Sequence, residues 1–435
     1  MTLTSPVAST ADADRDAPLS MSRLVHRVRR VDVGEYTHFA DGTLTVGEAE
    51  ARVAVADPAL AEVRVRAASP GDSARIVNPL DIVEPRSKAG AGGMFPGFLG
   101  PPRPSRSRET HVLRGAAVTA AGYLPRNQEG IVDMSGPAAD LSPYAGTHNV
   151  VLEFEPAETA TWEQVEAALR RGLLRLAVRL ADAATDSEPD DVEVLAPPAP
   201  PGAGSDRPRV GVVTNLQCQG AFKDVYVYGT SMANSLPTWI EPGEIEDGAV
   251  VSGQYGHPGL RNPTWMHCNH PVVAELRARH GGEADFAGVV LCPEPVDQRH
   301  KEHVSAHATA LCRAAGFDAA VVTKEGAGNA DTDLSLKLDM LADADITPVG
   351  IFAEMAGPDG TGPPVVSPPR RATAMISAGN YDERLWLPAV ERVLGSAGIG
   401  TADADATAAL DVPVAQIHGS LSPLGCGRLM CREAV

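Results

Sequence analysis

The sequence predicts an α/β protein, with a β-rich N-terminal domain followed by an α/β domain built on a mainly parallel sheet. Three observations carry this. From Leu24 to about Leu124 the apolar residues fall in short, alternating runs. A proline-rich stretch, Pro197 to Pro208, then breaks the pattern. Beyond it, apolar runs of strand length alternate with stretches of helical period, the rhythm of βαβ units.

The elements follow in order. Residues 1–20 are polar and rich in Ala, Ser and Asp, and read as a disordered tail. In residues 21–150, the β-rich domain, Val31 and Val33 and then Leu44 and Val46 alternate around a turn at Asp41-Gly42. Val63 and Val65, Ile76, Ile82 and Val83, and the run Val112 to Val118 continue the strands. Between them Ala89 to Pro104 forms a long Gly/Pro-rich loop, of the kind that is either functional or mobile. Residues 151–208 hold a helix and the linker. The helix runs from Trp162 to Ala184, with Thr161 as its cap and Val165, Leu169, Leu173, Leu176 and Leu180 on one face.

In residues 209–425, the α/β domain, strands are expected at Val210–Thr214, Phe286–Leu291, Ala319–Thr323, Thr347–Phe352 and Thr373–Ser377. Helices are expected at Glu302–Ala315 and Thr332–Leu341, and residues 426–435 form a C-terminal tail. Ligands on parallel sheets sit at the carboxyl ends of strands. Here those ends are Lys324 to Asp331, Glu354 to Gly360, and Ser377 to Asn380.

Composition excludes several classes. Across 435 residues the formal net charge is −19, which repels phosphate backbones, and no basic run with interleaved aromatics occurs. No run of 18 apolar residues exists to span a membrane, and no apolar segment opens the chain as a signal peptide does. The six cysteines form no dense framework and read as reduced thiols of a cytoplasmic protein. Aromatics make up 4% of residues, so the core rests on Ala, Val, Leu and Ile.

Several groups could carry chemistry. Lys324 to Asp333 joins a strand to a helix, and its Gly326 and Gly328 allow close approach of backbone amides to a ligand. No Lys follows those glycines, so a phosphate-binding loop is rejected, and the bland reading is a tight turn. His300, His303 and His307 share one helix face, with His257, His267, Cys268 and His270 near in sequence. Their spacing matches no standard zinc signature, and a solvated helix face is the bland reading. Cys426 and Cys431 are a redox or ligand pair, or two incidental thiols. Cys218 follows a strand and is either a site residue or a buried free thiol.

Longer stretches are more specific. Ile82-Val83-Glu84-Pro85-Arg86, Gly93 to Phe98, Thr110 to Val118 and Gln128 to Pro137 stand in order along the first third. Val225 to Gly229, Asp247 to Gly253, Asn269 to Val273, Glu325 to Leu334 and Ser377 to Asn380 follow. With Asp41 to Leu44 they span about residues 24–425, and the chain so resembles the alpha and beta subunits of glycine/sarcosine/betaine reductase component B. That family resemblance implies a proprotein that cuts itself before an internal Cys and leaves a pyruvoyl group on the new terminus. It also implies a small amine substrate and a gamma-type partner subunit whose selenolate or thiolate attacks carbon and releases the amine.

At one place this sequence departs. The family's Cys follows a Ser-Gly-Asn-like stretch, which here is Ser252-Gly253-Gln254, and the next residue is Tyr255. A phenol cannot perform the acyl shift and β-elimination open to a β-thiol. From Tyr255 to Pro263 there is no Ser, Thr or Cys; Thr264 and Cys268 are the nearest. The expectation is therefore an uncleaved chain without a pyruvoyl group. The candidate catalytic residues are His267, Cys218, Glu325 and Asn329, with Gly326, Gly328, Asp331, Gly379 and Asn380 binding substrate. Gln254 and Tyr255 mark the family's cofactor position. Three functions remain open: a reductase subunit that cleaves a C–N or similar bond, a non-catalytic subunit that binds the thiol- or selenol-bearing partner, or a biosynthetic enzyme of changed substrate.

Overall fold

The computed structural model describes residues 21–89, 93–104, 109–125, 129–198, 200, 205–218, 223–371, 374–396, 398–399 and 404–433. The expected tail 1–20, Gln128, linker residues 199 and 201–204, and the side chain of Cys431 lie outside them.

The largest sheet has seven strands, in the order Thr238–Ile240, Asp285–Glu294, Arg209–Gln217, Ala319–Thr323, Thr347–Glu354, Ala374–Asn380 and Met430–Glu433. The five inner strands are parallel and the two edges antiparallel. All five strands expected after the linker are therefore present, and four run further than their apolar patterns. The added residues at their carboxyl ends include Asn215, Gln217, Glu294 and Asn380. Apolar periodicity stops where a strand turns polar, and it is these polar ends that converge.

The strand Asp285–Glu294 divides its side chains between two clusters. Ala287, Val290 and Cys292 pack against helices Gln298–Ala314 and Asn329–Asp343 through Val304, Ala308, Leu334 and Leu338. Phe286, Val289 and Leu291 pack with Val273 and Leu276 of helix Pro271–Arg279. Helices thus cover both faces, as a parallel sheet requires. The second parallel strand in sequence lies on one side of Arg209–Gln217 and the third on the other. Connections diverge at the carboxyl ends of Arg209–Gln217 and Ala319–Thr323, the place at which such sheets bind ligands.

The N-terminal half is β-rich. One four-stranded sheet runs Asp191–Leu195, Met21–Arg27, Glu109–Arg114, Arg86–Lys88; another runs Leu60–Ala68, His148–Pro156, Ala116–Ala121, Pro79–Val83. Helix Trp162–Asp182 packs across both. It begins at a capping box: the Gln164 N–H donates to Thr161 Oγ1 at 3.3 Å, and the Thr161 N–H to Gln164 Oε1 at 2.9 Å. Its face of Val165, Leu169, Leu173, Leu176 and Leu180 is buried as its spacing predicts.

Two local readings change. Asp41-Gly42 joins His38–Ala40 to Thr43–Gly47, and Arg30–Gly34 pairs with the latter in parallel rather than across the turn. The run Val112 to Val118 is two strands broken at Gly115, where φ is +95° and a Cβ would lie 2.8 Å from the Val28 carbonyl. The Gly/Pro-rich loop is anchored over its described part. Phe95 is fully buried and its N–H donates to the Asp247 carbonyl at 3.0 Å. Near its end the chain returns to the N-terminal sheets, with Arg392–Gly395 parallel to Ala74–Val77.

Candidate functional site

The carboxyl ends of the central strands enclose a buried polar network. Thr323 ends its strand, and the turn Lys324-Glu325-Gly326 swings back toward Arg209–Gln217. There the Gln217 N–H donates to Glu325 Oε2 at 2.7 Å. Gly326, at φ +67°, passes the side chain of Gln217 so closely that a Cβ would sit 3.4 Å from its Nε2. Opposite stands the short helix Thr264–Cys268, whose His267 places Nε2 3.1 Å from Glu325 Oε1. Asn262 Nδ2 donates to the same oxygen at 3.4 Å.

Glu325 accepts from a backbone N–H and an amide, and as a carboxylate, which is acceptor-only, it takes its third contact from an imidazole Nε2–H. Nδ1 is then the basic end of a neutral ring, or a second donor if the ring is charged. The arrangement is a carboxylate-oriented imidazole, suited to giving or taking a proton.

Charge surrounds this pair. Lys324 bonds Asp331, and Lys301 bonds Asp333, all four buried. Lys337 Nζ is 3.7 Å from Asp333 Oδ1. Glu294 accepts the Glu325 N–H at 3.2 Å. Burial, then Asp333 and Glu325, push its carboxyl well above the usual carboxylate range. Gln254 donates from Nε2 to Gln217 Oε1, which brings the strand Val250–Gln254 to the same network. That strand is tied to the N-terminal half: the Ser252 N–H donates to Thr264 Oγ1 at 3.0 Å, and Thr264 donates from both N and Oγ1 to Asp81 at 2.8 Å. Burial raises Asp81 to about 6.

The structure brings together His267, Glu325 and Gln254, and sets Asp331 beside them through Lys324. Asn329 stands outside the network: it is exposed and its Nδ2 donates to the Val296 carbonyl at 3.3 Å. Gly328, at φ +69°, precedes the helix Asn329–Asp343. Cys218 is packed among apolar residues, and burial, followed by Glu294 and Asp224, pushes its thiol up to about 12. Gly379 and Asn380 lie two strands along the rim, where Asn380 Nδ2 donates to the Gly357 carbonyl at 2.7 Å and so holds the loop after Glu354. His300, His303 and His307 stand on a solvent-facing side of their helix, with His303 and His307 rings 4.5 Å apart. Among the described residues, no group of three or more His, Cys, Asp or Glu side chains is placed to hold a metal ion.

Sequence reasoning missed Glu294, Gln217, Lys301 and Lys337. A signal existed for two of them. Gln217 and Glu294 each end an apolar strand run, at the rim where ligands of parallel sheets bind. His257, named from the sequence only among neighbouring histidines, sits at φ +45° with Nδ1 3.3 Å from the Tyr381 hydroxyl, and burial drops its pKa to about 4.

Tyr255 has a setting of its own. It is 2% exposed and packs with Leu80, Leu124, Val165, Ala168 and Leu169. Its carbonyl accepts from the buried guanidinium of Arg261, which also donates to the Pro79 carbonyl. The ring therefore plugs the apolar interior beside helix Trp162–Asp182. A pyruvoyl group at this position does not fit the residues present. The side chain offers no β-thiol or β-hydroxyl, Thr264 is engaged with Asp81, and burial pushes Cys268 up to about 12.

These features define an α/β protein with a buried carboxylate–imidazole pair at the crossover of its parallel sheet. Over residues 20–416 the chain matches the family model of the glycine/sarcosine/betaine reductase component B subunits, and it belongs to that family. It is 35% identical over 418 residues to the glycine reductase complex component B subunits alpha and beta of Peptoclostridium acidaminophilum, covering 93% of this chain and 97% of that protein. It is 36% identical over 373 residues to the sarcosine reductase complex component B subunit alpha of the same organism, covering 85% and 87%. The betaine reductase complex component B subunit alpha from that organism is 30% identical over 383 residues, with 85% and 86% covered. No solved structure matches. No helix among the described residues is long and apolar enough to cross a membrane.

Proposed function

We propose that this chain is the substrate-holding subunit of a cytoplasmic glycine/sarcosine/betaine reductase-like complex, and that it works as one uncut polypeptide. The observation that carries this reading is the Glu325–His267 pair, buried where the sheet's connections diverge and linked through Gln217 to Gln254 at the family's cleavage position. A small amine binds at this rim. A thiolate or selenolate of a gamma-type partner subunit attacks the carbon that bears nitrogen. The C–S or C–Se bond forms as the C–N bond breaks, and the electron pair leaves with nitrogen. From a primary or secondary nitrogen bound as the free amine, His267 supplies the proton with which it departs, and Glu325 stabilises and orients the imidazolium. Asp331, Gly326 and Gly328 shape the turn that carries Glu325. Without a pyruvoyl group, polarisation of the substrate falls to such protonation.

The test is reconstitution. The chain is mixed with a thiol- or selenol-bearing gamma-type subunit, and amine release from glycine and sarcosine is followed. Turnover only with both chains, lost in Glu325→Gln and His267→Gln, supports the reading. The burial of Tyr255 favours a second one, a binding subunit that keeps the fold without catalysis. Partner activity that is unchanged without this chain would select that second reading.

A further inference from the structure

Glu294 closes the strand Asp285–Glu294 beside Gln217, fully buried. Its Oε1 accepts the N–H of Glu325 at 3.2 Å, while its Oε2 has no hydrogen-bond partner among the described residues. It is thus in backbone contact with the residue that orients His267.

The charges around it can be counted. Three buried lysines, Lys301, Lys324 and Lys337, meet four buried carboxyl groups, Asp331, Asp333, Glu325 and Glu294. Lys324 is bonded to Asp331, Lys301 is bonded to Asp333, and Lys337 lies nearest Asp333. Glu325 has Gln217, Asn262 and His267. Among the described residues Glu294 is bonded to no cation, and its one donor is the Glu325 N–H. The groups that act on it are Asp333 from helix Asn329–Asp343, Glu325 and Lys324 from the turn, and burial itself, with only Lys324 and the Glu325 N–H favouring its charge. Glu294 also acts on the thiols of Cys292, on its own strand, and Cys218, just past the end of Arg209–Gln217. An ionised oxygen left there without a donor is strongly disfavoured, whereas a carboxylic acid O–H is tolerated.

We propose that Glu294 is a carboxylic acid holding a proton at neutral pH, and that it is the positioning residue for Glu325. Two adjacent carboxyl groups divide the roles, as like charges in one buried site must. The neutral Glu294 lets Glu325 stay a carboxylate, and that carboxylate fixes the Nε2–H tautomer of His267. Ionising Glu294 would place a second negative charge beside Glu325 and repel its carboxylate, loosening its hold on the imidazole. The inference rests on the reading of Glu325 and His267 as the reacting pair.

Infrared difference spectroscopy on the full chain, wild type against Glu294→Gln, tests it. At pH 7 the wild type should show the carbonyl stretch of a protonated carboxylic acid, lost in Glu294→Gln and retained in Glu325→Gln. In the reconstituted complex, Glu294→Gln, a neutral isostere, should keep activity within about threefold, while Glu294→Ala loses tenfold or more. The wild-type activity should decline at alkaline pH together with the infrared band, and Glu294→Gln should lack that decline. A merely structural role would leave the pH profile of the Gln variant unchanged. No band at pH 7, or a band that survives in Glu294→Gln, overturns the proposal. A band assigned to Glu294 beside a fully active Glu325→Gln would leave its proton in place and remove the catalytic reading instead.

Discussion

Glu325 Oε1 lies 3.1 Å from His267 Nε2, and neither side chain reaches solvent. The two residues are 58 positions apart, one on the turn after a parallel strand and one on a short helix of the long preceding connection. Burial strengthens each hydrogen bond in the pair and raises the cost of leaving either partner alone.

Glu325→Gln keeps the shape of the side chain and removes its charge. Amine release by the reconstituted complex should fall roughly 10²- to 10⁴-fold, the range of general acid–base assistance. Substrate binding should change far less. An equal rise in KM with unaltered kcat would point to a binding role only.

Acid should destabilise the protein through His270. Its Nε2 lies 3.2 Å from Thr214 Oγ1, and burial, then His267, lowers its pKa from 6.5 to about 3. Above 6.5 the ring is neutral in both states. As pH falls through the window from 6.5 to about 3, the unfolded chain takes a proton that the folded one refuses, so stability is lost. At pH 5 this is roughly 2 kcal/mol. Asp81, raised to about 6, acts in the opposite sense, which is why the comparison must be with His270→Gln. Urea titrations at pH 7 and pH 5 should show a smaller acid loss in the variant.

The thiols should be inert in the folded protein. Burial pushes Cys218, Cys268 and Cys292 each up to about 12. Iodoacetamide at pH 7.5 should leave all three unlabelled and modify them once urea unfolds the chain. Rapid alkylation of Cys218 in the native protein would mean an accessible thiolate.

Leu173 sits on the buried face of helix Trp162–Asp182, in the cluster with Val55, Val118 and Leu176. Leu173→Ala should cost roughly 2–5 kcal/mol by leaving a cavity, read as a lowered Tm. An exposed neighbour such as Arg179→Ala should cost little.

Much of this was legible in the sequence, because the helix face of Val165 to Leu180 and the strand Ala319–Thr323 are written in apolar period alone. The turn at Glu325 was legible as a strand end. Its partner was a candidate only through the family pattern, since nothing local pairs position 267 with position 325. Gly115 hid a strand break that depends on the approach of Val28, a contact 87 residues away in sequence. The pairing of Arg392–Gly395 with Ala74–Val77 was equally invisible, as no local pattern encodes a partner so distant. Nothing local to Lys301 or Lys337 marks either as buried, and only the fold turns them inward.

The central claim is that the chain acts uncut, with Tyr255 filling the apolar interior at the position that the family resemblance assigns to the cleavage residue. Intact-mass spectrometry of the purified protein, before and after treatment with a carbonyl-reactive hydrazine, tests it most directly. A single full-length species without an adduct is the predicted result. Two fragments divided between residues 254 and 268, the C-terminal one gaining a hydrazone, would contradict it.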